Sequence, residues 1–213
     1  MALAMLASVC LGFARSFLLR PWFPEVKVPP EPFFLLHGAV FLTWFILLVV
    51  QTTLVARGRL VVHRSLGVLG AVLATAMILA GLTGAIIAAR RPGGFIGIPI
   101  PPLQFLVIPF GDMVLFASLI GTGLSLRRRP QAHKRLMLIG SITILTAAIA
   151  RWPFVLGGGP PAFFGITDLF LVPLVVWDFS TRRRLHPATP LGRAGIDRLP
   201  AAAPSSSPAP MAG

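Results

Sequence analysis

The chain has 213 residues, 55% of them hydrophobic and 12% charged, with a mean hydropathy of +0.84. A soluble domain carries about 25% charged residues, so this composition excludes an ordinary soluble enzyme and an intrinsically disordered chain, and points to an integral membrane protein. The net charge of +13 does not signal nucleic acid, because the cations punctuate long apolar runs instead of clustering on a soluble face.

Six apolar stretches follow one another along the chain, at 2–19, 33–55, 66–89, 103–126, 136–156 and 162–179. Each fits the about 17–25 residues a helix needs to cross a bilayer core. None shows the period-2 alternation of a membrane barrel, so the expected fold is all-α, a bundle of six transmembrane helices. The first stretch has no basic residue before Phe13 and no small-residue cleavage site after it, so it reads as a true span, not a signal peptide. It carries the single cysteine, Cys10, which excludes a disulfide framework and reads as a small hydrophobe. The connections at 20–32, 90–102 and 157–161 are rich in Pro and Gly and leave little room for a folded domain. The polytopic domain is expected to end near residue 186, and the Pro-, Ala- and Ser-rich stretch 187–213 reads as a disordered tail.

Basic residues set the orientation. The loops after spans two and four and the C-terminal tail hold Arg57, Arg59, Arg64, Arg127, Arg128, Arg129, Lys134, Arg135, Arg182, Arg183, Arg184, Arg193 and Arg198, against Arg15, Arg20, Lys27, Arg90, Arg91 and Arg151 on the other side. That bias places both termini in the cytoplasm. Trp22 and Trp152 then fall near the outer interface and Trp177 near the inner one. A weak internal echo, 70 residues apart, relates His63-Arg64-Ser65-Leu66 to His133-Lys134-Arg135-Leu136 and Gly70 to Gly140. A duplicated hairpin explains it, as does the general demand for basic residues at inner helix ends.

Ionisable groups inside spans cost roughly 2.5–3.5 kcal/mol each at the helix centre, which makes them functional pointers. Asp112 lies about 13 Å into span four at 1.5 Å per residue, where it must pair, be protonated or meet water. Arg15, His37, Arg151 and Asp168 fall near one depth on four other spans, in the outer half. With Asp112 they would form an outward-facing polar pocket of nearly cancelling charge. Trp44 joins them because His37, Trp44 and Gln51 repeat every seven residues and share a helix face. Snorkelling to the headgroups explains Arg15 and Arg151 equally well.

A second constellation lies on the cytoplasmic side. His63 and His133 head spans three and five at matching depth, and a bis-histidine haem site needs imidazoles from two helices aimed at one iron. Arg64, Lys134 and Arg135 would be its propionate partners, although interfacial histidines beside positive-inside residues give the same pattern. No His-x-x-x-His, Glu-x-x-His, Cys/His cluster, phosphate-binding glycine loop or nucleophilic triad is present, so neither a protein-only metal site nor a catalytic motif is read.

The blocks Leu36-His37-Gly38 with Trp44 and Gln51, His63-Arg64-Ser65-Leu66-Gly67, His133-Lys134-Arg135-Leu136-Met137 and Ala150-Arg151-Trp152-Pro153 resemble a family of bacterial six-helix inner-membrane proteins. Phe13-Ala14-Arg15, Arg20-Pro21-Trp22, Thr167-Asp168-Leu169 and Leu185-His186-Pro187-Ala188-Thr189 extend the likeness over roughly residues 10–190. It implies a multi-pass protein of the inner membrane and no particular activity. The His63–Gly67 piece is also similar to cytochrome b561-type haem proteins, which implies haem b, although this chain lacks their paired within-span histidines at two depths. Three functions are expected: a pocket for a small solute or proton; haem- or quinone-linked electron transfer through His63 and His133; or a structural role in a membrane complex. The partners expected are the lipid bilayer and another membrane protein or a second copy of the chain, with no nucleic acid.

Overall fold

The computed structural model describes residues 1–24, 32–95, 100–155 and 158–182. The expected disordered tail, His186 and most of its neighbouring arginines lie outside the described residues. Within them every regular element is helical: α1 (Ala2–Phe13) running into a π-turn (Ala14–Leu18) and a 3₁₀ turn (Arg20–Trp22), α2 (Pro32–Ala56), α3 (Leu60–Ala89), α4 (Pro102–Phe105), α5 (Val107–Ser125), α6 (Pro130–Thr143), α7 (Thr146–Ile149), α8 (Gly159–Leu169) and α9 (Val172–Arg182). Five helical stretches are long and apolar enough to cross a membrane: Pro32–Ala56, Leu60–Ala89, Pro102–Ser125, Pro130–Ile149 and Pro161–Ser180. The first apolar segment is shorter, Ala2–Leu18.

The boundaries depart from the sequence reading in three informative places. The third apolar helix starts at Leu60 and the fifth at Pro130, six residues earlier than expected in each case, so His63 and His133 each become the fourth residue of a helix. The fifth helix also stops early. Its last turn ends at Ile149, so Arg151 lies in the turn beyond it and not inside a span.

Local chemistry accounts for the joints. Gly58, with φ of +70°, ends α2. The Gly58 N–H donates to Val55 O and the Arg59 N–H to Leu54 O, a Schellman end that reverses the chain within a few residues. Pro109 cannot donate a backbone hydrogen bond, and the helix breaks at Leu106, between α4 and α5. Pro173, the second residue of α9, follows the break at Phe170–Leu171. The break at Ile144–Leu145 has no proline. There the Thr143 hydroxyl donates to Gly140 O (2.7 Å) and the Thr146 hydroxyl to Thr143 O (3.1 Å), competing with the helix ladder.

Packing runs α1 to α2, α2 to α3, α3 to α5 and α5 to α6, and α7 closes back on α1. The α6–α7 stretch is the most enclosed: 72% of its most apolar 18 residues are buried, against 17–33% for the other four, although its hydropathy, 1.2, is the lowest. Small residues sit at the close contacts, as they do where apolar helices pack without a hydrophobic driving force between them. Gly12 of α1 leaves no room for a side chain against the Ala148 carbonyl of α7. Gly123 abuts Leu136 and Met137, and Gly140 abuts Leu119 and Ile120, which sets α5 and α6 antiparallel. Met5, Met77, Phe45, Phe116, Ile120, Ile139, Ile142, Leu145 and Ile149 fill the interior.

One charge pair lies wholly inside. Arg135 of α6 and Asp178 of α9 are 1% and 0% exposed and bonded to each other, through Arg135 Nη2 and, at 3.1 Å, Nε. Arg135 Nη1 donates to both oxygens of Gln131, backbone and side chain, at 2.9 Å. Arg135 is therefore not a solvent-facing cation available to a propionate, as the sequence suggested, but half of a sealed ion pair.

Candidate functional site

The helical contacts bring part of the expected pocket to one level. His37 Nδ1 donates to Ala80 O of α3 at 3.2 Å, and the ring stacks on Phe41 with centroids 4.3 Å apart. Gly84, one turn further along α3, lies against the same imidazole. On the other flank of that turn, Gly81 is pressed by the Met113 thioether of α5, next to Asp112. His37 thus lies against the Ala80–Gly84 turn, and Asp112, the residue before Met113, lies at the same level of α5.

Asp112 is 7% exposed, ten residues after Pro102 in its apolar stretch. Among the described residues no donor or cation reaches its carboxyl group. Donating through Nδ1 to a carbonyl leaves the His37 Nε2 lone pair open, and Nε2 has no partner among the described residues. The Arg151 guanidinium is within electrostatic reach of His37.

The other expected members lie around this level or away from it. Arg151 is exposed and lies over the Phe13 ring at 4.9 Å, and Arg15 is exposed over Phe23 at 5.3 Å, so both mark the rim at the end of α1. Asp168 is half-buried near the α8–α9 break. Trp44 is 3% exposed two helical turns below His37, where its indole N–H donates to Ser141 Oγ (3.0 Å) and its ring meets Phe116 edge-on. It closes the floor of this level and has no free donor. An apolar groove along α4–α5, lined by Leu103, Leu106, Val107, Phe110, Gly111 and Val114, holds none of these residues.

At the basic end, the structure brings His63 and His133 together. Their ring centroids are 6.3 Å apart with planes at 72°. His63 Nδ1 bonds Gln51 Oε1 at 2.6 Å and His133 Nδ1 bonds Gly123 O at 2.7 Å. The heptad face of α2 therefore divides its labour: His37 serves one end, Trp44 the centre and Gln51 the basic end.

Sequence reasoning missed Asp178 and the Trp44–Ser141 bond. Asp178 falls in the last apolar stretch and carried the same signal as Asp112, an acid where hydrocarbon is expected. Ser141 gave no signal, because an isolated serine in an apolar helix commonly bonds its own backbone, and this one also does, to Met137 O at 2.8 Å. Trp152 ties the α7 end to α1 through its N–H to Ser8 O at 3.2 Å. No protein-family model, curated protein or solved structure matches the chain.

Proposed function

We propose that this chain is a multi-pass protein of the bacterial inner membrane, with both termini cytoplasmic, in which Asp112 and His37 form a site for a small solute or a proton open to the outer side. The observation that carries this reading is Asp112, a carboxyl group 7% exposed in an apolar helix with no partner among the described residues. Structural acids in such places are paired, as Asp178 is; an unpartnered one is costly and is retained for what it binds. His37 at the same level adds an acceptor nitrogen, and Arg15 and Arg151 supply positive charge at the rim that would draw anions or repel cations before they reach the site. The orientation rests on the cation bias alone.

The test is complementation. A strain lacking the protein is scored for every phenotype it shows, and Asp112→Leu is introduced at native expression. The expected result is loss of complementation, with Asp112→Asn intermediate or lost. Full complementation by Asp112→Leu in every phenotype removes the proposal.

A further inference from the structure

The paired histidines at the basic end have a different geometry and an independent use. We propose that His63 and His133 bind one metal centre through their Nε2 atoms, as a two-imidazole site of low net charge between α3 and α6. Three observations converge on it. First, both Nδ1 atoms are committed to oxygen acceptors, Gln51 Oε1 and the Gly123 carbonyl. An Nδ1–H donated to a carbonyl fixes the tautomer and leaves the Nε2 lone pair for a metal, the arrangement that metal-bound histidines use. Second, neither Nε2 has a partner among the described residues. Third, the spacing fits. With both nitrogens about 2.0 Å from a shared metal and the two ligands close to linear, imidazole centroids stand roughly 6 Å apart, and these are at 6.3 Å with planes at 72°.

Charge then narrows the metal. Among the described residues no group of three or more His, Cys, Asp and Glu comes together, so no thiolate or carboxylate completes the set. Arg64 and Lys134, each next in sequence to one of the histidines, add positive charge nearby. A bare divalent ion with two neutral ligands among cations is electrostatically poor. A centre of low net charge fits: either a cuprous ion, which is content with two soft-to-borderline nitrogens, or an iron porphyrin, whose macrocycle brings its own negative charge. The shared chemistry is a low-charge, imidazole-seeking metal. This inference does not rest on the Asp112 site.

Full-length protein purified in mild detergent separates the two sources in parallel titrations. One arm adds hemin and follows the Soret and, after reduction, the visible bands. The other adds Cu(I) held by a chromophoric chelator. The expected result is one equivalent bound in one arm and lost in both His63→Ala and His133→Ala. Gln51→Leu, which keeps both histidines, should bind about 10–100-fold more weakly. Cys10→Ser should bind as the wild type does, since the lone thiol takes no part. The proposal is overturned if neither arm reaches one equivalent. It is equally overturned if binding is undiminished in the two histidine variants and in Gln51→Leu, each eluting from size exclusion as the wild type does.

Discussion

Two acids in apolar surroundings meet opposite fates here. Asp178 is sealed against Arg135, while Asp112 faces no cation among the described residues. Removing one partner of a buried pair strands the other charge, at about 3–5 kcal/mol. Asp178→Ala should therefore lower the thermal midpoint strongly, whereas the double change Arg135→Met with Asp178→Leu should recover most of the loss. An unchanged midpoint in Asp178→Ala would show that the pair holds nothing. Asp112 stood out in the sequence as an acid in an apolar run, and Asp178 carried the same signal but was missed. What was not visible is which of them is paired, because Arg135 and Asp178 are 43 residues apart. A basic residue at a helix start reads as a topology signal until the fold encloses it.

Among elements, the apolar runs announced the helices, but their interruptions were silent. Hydropathy continues undiminished through Ile144–Leu145 and Phe170–Leu171, so composition has no term for a break, although Pro109 and Pro173 marked two of the joints. Starts were misjudged for a related reason: His63 and His133 are polar, yet the helical ladder extends through them to Leu60 and Pro130. Close approach is the other hidden quantity. A Cβ at Gly12 would strike the Ala148 backbone, which cannot give way, while one at Gly67 meets nothing. Gly12→Ala should destabilise by about 1–3 kcal/mol. Gly67→Ala should leave stability unchanged or raise it by up to about 1 kcal/mol through helix propensity. Thermal unfolding of the two variants side by side checks the α1–α7 contact; equal effects would refute it.

At the scale of the whole molecule, the least apolar of the long helices is the most enclosed, and the more apolar ones are the less buried. That arrangement follows from the solvent: in a bilayer the polar residues collect inside. It also explains why a polar level can be assembled from single residues on different helices, none of which forms a motif. Thiol labelling tests the orientation. In a Cys10→Ser background, Pro92→Cys on intact cells should react with an impermeant reagent, and Arg57→Cys and Arg127→Cys only after permeabilisation; the reverse pattern would invert the topology. The central claim is that Asp112 is kept for binding and not for folding. Its most direct test is the thermal midpoint of Asp112→Leu in detergent. Replacing an unsatisfied buried polar group by an apolar one of similar size should stabilise, here by about 1–3 kcal/mol, even though complementation is lost. A fall in the midpoint would mean that Asp112 holds the structure together, and would contradict the account.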